Sequence, residues 1–192
     1  TKTLIADSGL TGNTTITYNN WTIPDSFYDE IPDSPTGNGN IICETYNSGT
    51  LIGTSSNGFI VNVPSSATPD ISNPTLYDTD TVSRTVISPD AQHPVYVVGK
   101  SKLQFTFPTF STDYGSTLKS YTLKINGTQV YSGTDSSFTM STPISQTSNN
   151  YELIITDSRD KYSTTGSQPF TAHAYTEPKI TKFTAERDAT TP

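Results

Sequence analysis

Cysteine is almost absent from this chain of 192 residues: Cys43 stands alone. One thiol excludes an intrachain disulfide. His93 and His173 are the only histidines, so no zinc set of ordinary spacing can be drawn. Basic residues are few. The 11 Lys and Arg are scattered and face 18 Asp and Glu, giving a net charge of −7. A phosphate backbone needs a basic stripe, so nucleic acid is not an expected partner. Charged residues make up 15% of the chain, where about a quarter is usual. No apolar run approaches the roughly 20 residues of a membrane helix. The sequence opens on Thr1 without an initiator Met or leader pattern and ends on TTP. It is expected to be a piece of a longer polypeptide.

What is present is Ser, Thr, Asn, Gly and Tyr. Thr, Tyr, Val and Ile suit pleated surfaces, and Gly, Asn, Asp and Pro suit corners. The pattern is strand, turn, strand almost throughout. Strands are expected over 4–10, 13–23, 41–47 and 50–64, with a tight hairpin at Asn47-Ser-Gly-Thr50. Further strands are expected around 70–80, 95–107 and 118–125, and a last one over 161–175. Gly99 marks a bulge or a bend between sheets. Asn126-Gly127 is a strong hairpin signal. Thr156–Lys161 makes another turn, and Pro169 marks an edge or bulge.

Strand spacing and turn signals predict an all-β chain: two tandem immunoglobulin-like or fibronectin III-like antiparallel β-sandwiches. The expected modules are 1–68 and 69–177, joined at the seam Pro64-Ser-Ser-Ala-Thr-Pro69. A weak repeat supports this. TPDISNPTLYD (68–78) resembles EPKITKFTAER (177–187), with Pro69/Pro178, Ile71/Ile180 and Thr75/Thr184 at one offset. Residues 178–192 are therefore expected to start a further module or linker.

The stretch WTIPDSFYDEIPDS (21–34) holds the only Trp and a cluster of acids and aromatics. Asp25 is expected to cap one or two helical turns, with Phe27 and Ile31 on one face. Paired carboxylates can hydrolyse glycosides when held across a cleft. Asp25, Asp29 and Glu30 share one short linker, so they are expected to face water while Trp21, Phe27 and Ile31 close one end of a sandwich. Asp70, Asp78, Asp80 and Asp90 offer oxygen ligands without the spacing of a calcium loop. Asp157 is expected to form an Asx-turn. No GxSxG elbow accompanies the histidines. Cys43, inside GNIICETY, reads as a small core hydrophobe. No catalytic, metal or cofactor site is expected. Exposed tyrosines could stack on sugar rings, and which of the 11 would do so is not legible.

The order of motifs carries a resemblance. WTIPDSFYDEIPDSPTGNGNIICETYNSGTLIGT, GKSKLQF (99–105), YGSTLKSY (114–121), ITDSRDKYSTT (155–165) and EPKITKFTAER resemble elements of minor structural proteins from siphophages of Gram-positive bacteria. One departure is Asp160, where that family usually has Gly after TDSR. The resemblance implies a virion component at the tail tip or fibre, built from immunoglobulin-like modules and outside the cell. It brings no catalytic residues. The implied role is a non-catalytic spacer contributing to host attachment. Its partners would be other virion tail proteins and host cell-wall polysaccharide, with no membrane and no nucleic acid. Alternatives are a carbohydrate-binding module and a repeat of a bacterial surface adhesin.

Overall fold

A computed structural model describes residues 22–84 and 95–185 of the chain. A 3-10 turn, Asp25–Phe27, leads into β1 (Thr36–Asn47) and β2 (Thr50–Asn62). After the seam come β3 (Thr75–Asp78), β4 (Tyr96–Val97), β5 (Leu103–Thr106), β6 (Leu118–Ile125), β7 (Thr128–Gly133) and β8 (Ser137–Thr139). The last three are β9 (Ser148–Asp157), β10 (Tyr162–Thr164) and β11 (Gln168–His173). The strand candidates at 4–10 and 13–23, and Trp21, Asp90 and His93, lie wholly or largely outside the described residues.

From β3 onward the strands form two sheets. The small one runs β3-β5-β8 and the large one β4-β11-β9-β6-β7, with β10 also on β9. All pairs are antiparallel except β11 with β4. Alternation on the central strands explains the layering. On β9, Tyr151, Leu153 and Ile155 point inward and are buried. On β5 the inward residues are Leu103 and Phe105, both fully buried. On β6 the buried set is Tyr121, Leu123 and Ile125. Leu118 breaks this alternation, and a register shift between Leu118 and Ser120 accounts for the extra residue. Each such apolar side chain contributes roughly 1.5–3 kcal/mol by leaving water. Rings interlock across the core: Phe105 meets Tyr151 edge-on at 5.7 Å, and Phe107 stacks on Tyr121 at 5.0 Å.

Gly99 does bend the chain between sheets. It sits at φ 76°, in the turn that carries β4 of the large sheet into β5 of the small one. There Ser101 is buried. Its hydroxyl donates to Asp78 Oδ2 at 2.5 Å and accepts from the Val97 N–H at 2.8 Å. Burial, with Asp78 nearby, pushes the Tyr96 hydroxyl up to about 12.

The β1–β2 pair is a long two-stranded ribbon closed by Ser48 and Gly49 at φ 47° and 82°, the twist that a two-residue hairpin requires. Among the described residues it pairs with no other strand. Here two expectations are corrected. Cys43 is exposed rather than buried, because the ribbon face carrying it has no described layer against it. The turn at 25–27 is 3-10, and Asp25 is its first residue rather than its cap: Pro24 is the cap residue, with no side-chain hydrogen bond. Pro24 and Pro32 leave too few residues between them for an α-helix to propagate.

Candidate functional site: a clasp around Arg159

The seam between ribbon and sandwich is packed. Val63 and Ala67 are buried, and the Ala67 N–H closes a turn on the Pro64 carbonyl at 3.1 Å. Opposite lies the turn after β9, Asp157-Ser-Arg-Asp-Lys161. Asp157 is fully buried. Its Oδ1 accepts the N–H groups of Arg159 and Lys161, each at 2.9 Å, and its Oδ2 accepts the Ser116 hydroxyl at 2.9 Å. This is the expected Asx-turn, but one locked inside the protein.

The locked turn aims Arg159 at the segment before the ribbon. The side chain is buried, at 3% exposure. Its Nε donates to the Ile31 carbonyl at 3.0 Å, and its terminal nitrogens donate to the carbonyls of Tyr28 (3.1 Å), Asp113 (3.3 Å) and Tyr114. Tyr28 and Ile31 follow the 3-10 turn; the Tyr28 carbonyl also accepts the Ile31 N–H at 3.2 Å, so Arg159 adds a second donor to it. A planar guanidinium with five donors suits several such acceptors at once. Ser158 adds a bond to the Pro32 carbonyl at 2.7 Å. Lys161 reaches the carbonyls of Val63 and Pro64. Burial, helped by the Arg159 charge and opposed by Asp157, holds its ammonium below the usual lysine range. The Tyr28 and Tyr114 rings meet edge-on at 4.9 Å. Asp25, followed by burial and further acids, raises the Tyr114 hydroxyl. Among the described residues no buried side-chain N or O atom lacks a partner.

So the acids of 25–30 face water, as the sequence predicts, while Phe27 and Ile31, expected in the core, are half-buried, as is Tyr28. Arg159 is the residue that sequence reasoning missed. The signal available was TDSRD, a turn with an arginine beside a residue that must adopt positive φ. Asp160 adopts φ 63° and pairs at the surface with Lys119. Left-handed backbone strains a side-chain-bearing residue, Asp less than most, and an exposed ion pair returns little. Asp160→Gly is therefore expected to stabilise the protein by about 0.5 kcal/mol, and Asp160→Val to cost about 1–2 kcal/mol. Urea unfolding of the two variants decides it: a less stable Gly variant would show that the turn depends on the carboxylate.

The other candidates stay apart. Asp78 is held by Ser101 and by the Asp80 N–H, and Asp80 caps Ser83 at 2.7 Å, which lowers its pKa. Among the described residues no three His, Cys, Asp or Glu side chains gather as a metal site. His173 lies exposed on β11. A cleft of about 280 Å³ opens beside β7 and β8, lined by Val130, Phe138, Thr139, Met140, Ser141 and Thr142; none of these titrates in the physiological range. Three exposed tyrosines among the described residues have charged partners of their own. Arg84 covers the Tyr77 ring at 4.8 Å and Lys100 the Tyr175 ring at 5.3 Å. Tyr46 donates to Glu44.

The geometry defines an all-β fold of packed sheets with a hydrogen-bonded clasp at one end. The chain belongs to a siphovirus protein family of unknown function (DUF859), whose profile matches residues 5–192. No curated protein matches it. Among solved structures it is similar to fibronectin(III)-like modules of Clostridium thermocellum CbhA, with 14% identity, a TM-score of 0.35, and coverage of 74% of this chain and 80% of that one. No helix among the described residues is long and apolar enough to cross a membrane.

Proposed function

We propose that this protein is a non-catalytic structural part of the siphovirus tail, a stiff spacer of tandem β-modules that carries host-attachment parts away from the virion body. The observation that supports it is the clasp. Arg159, Ser158 and Lys161 tie the sandwich to five carbonyls across the seam, at Tyr28, Ile31, Pro32, Val63 and Pro64. A flexible tether would need none of these bonds. A fixed joint transmits orientation from one module to the next, which a spacer requires and a free-standing binding domain does not. Membership of a siphovirus family makes the virion the natural setting. The modules as read are 1–68 and 69–177, with 178–192 entering another. In support, Ile71 packs against the sandwich core, whereas its repeat counterpart Ile180 is 87% exposed. Partners on this reading are neighbouring tail proteins. Contact with wall polysaccharide falls to other modules.

Two measurements on one preparation test this. Gold-labelled antibodies against the chain should decorate the tails of purified virions. The isolated chain should show no saturable binding to host cell walls or to polysaccharide extracted from them. Label on the capsid, or none on intact virions, overturns the tail assignment. Strain-selective, saturable wall binding overturns the spacer role in favour of receptor recognition.

A further inference from the structure

The β1–β2 ribbon carries bare apolar side chains on both faces, among them Ile41, Ile42, Leu51, Ile52 and Ile60. Between Thr36 and Asn62 its one charged residue is Glu44. A lone two-stranded hairpin is marginal in water, and long edges without Lys or Pro invite pairing. Such a ribbon calls for a covering layer, and the register of the second module points to one.

The 109-residue offset of the Pro69/Pro178 repeat lays the ribbon on the β9–β11 pair. In the sandwich, Gln168 faces Tyr151, Pro169 faces Asn150, Phe170 faces Asn149 and Thr171 faces Ser148. In the ribbon, Phe59 faces Gly39, Ile60 faces Asn38, Val61 faces Gly37 and Asn62 faces Thr36. One offset maps β2 onto β11 (168 − 59 = 109) and another maps β1 onto β9 (151 − 39 = 112). The first offset continues past the strands. It takes buried Val63 to buried Ala172, and Pro69 and Ile71 to Pro178 and Ile180. The second takes Ile41 to Leu153 and Cys43 to Ile155, both fully buried on the inner face of β9. It takes outward Ile42 to outward Ile154. The aromatic at the inner pair changes strand but is kept: Tyr151 opposite Gln168, Phe59 opposite Gly39. The Phe59 ring lies so close over Gly39 that an added Cβ would fall 2.3 Å from it.

We infer that β1 and β2 are the closing hairpin of a sandwich like the second one, and that the face bearing Ile41, Cys43, Phe59 and Val61 is its inner face, covered by strands of the same polypeptide that precede the ribbon. The inference rests on the tandem-module reading above and names the occupant. Topology selects that occupant over a second copy. In the second module β10 follows β9 and pairs with it, but every other strand that covers or flanks β9 and β11, namely β3, β4, β5, β6 and β8, precedes β9 in the chain. The strands expected over 4–10 and 13–23 stand in that same order before β1.

The test is thiol reactivity in the whole chain, read by mass spectrometry of the Cys43 peptide. Cys43 should react about a hundredfold more slowly in the native than in the denatured protein. In a Cys43→Ser background, Ser55→Cys, directly across on the same face, should also react slowly. Thr54→Cys, on the opposite face, should react fast. Equal native and denatured rates for Cys43, or equal rates for the two introduced thiols, overturn the inference. So does protection that disappears on dilution, which would place a second copy on the face. Absence of label from virion tails would sink the spacer role and leave this result untouched.

Discussion

Phe105→Ala is expected to destabilise the sandwich by about 4 kcal/mol, near the upper range for a ring removed from a core. Phe105 is fully buried on β5, the middle strand of the small sheet, between Leu76 of β3 and Phe138 of β8. Across the core its ring meets Tyr151 edge-on. Its loss empties the centre of both layers at once, and three short strands cannot close the gap. For a domain of this size the melting temperature should fall by roughly 15 °C or more. Phe105→Leu keeps most of the volume and should cost far less. The check is calorimetry or urea unfolding of both variants. A drop of under about 1 kcal/mol for the alanine would mean that the two sheets do not share this core.

The second large effect belongs to Arg159. Arg159→Ala removes the donors for the carbonyls of Tyr28, Ile31, Asp113 and Tyr114 and leaves a hole at the joint. A cost of about 3 kcal/mol follows from four part-buried carbonyls losing a charged donor together with the packing of the buried side chain. Arg159→Lys should recover only part of it, since an ammonium has three donors and no planar fork. The location of the effect separates this prediction from a general core defect. Hydrogen exchange should show amides near Tyr28–Ile31 losing protection while those of β9 keep theirs. Unchanged protection there, with an unchanged melting temperature, would show that the clasp holds nothing. Protection lost equally in β9 would make Arg159 a core residue of the sandwich instead of a joint.

Much of this protein is legible in local sequence. The all-β architecture follows from alternation such as Tyr121-Leu123-Ile125 and from turns such as Asn126-Gly127, which takes positive φ at both residues. The exposed placement of Asp25, Asp29 and Glu30 followed from charge on a short linker. The bend at Gly99 followed from a glycine inside a strand-like run. These signals are short-range, and a single chain carries them.

Tertiary structure decided what depends on distant partners. Arg159 reads as an exposed turn residue until Ile31, 128 positions earlier, is brought against it. Asp157 reads as an ordinary turn former until Ser116 and the packed seam bury it. Cys43 reads as core from its apolar neighbours, yet its exposure depends on which layer lies over its face, and a strand's own sequence specifies only that one face is to be covered. Periodicity fixes which side chains share a side. Only the assembled sheets determine what stands opposite them, because burial and a satisfied hydrogen bond belong to pairs of segments.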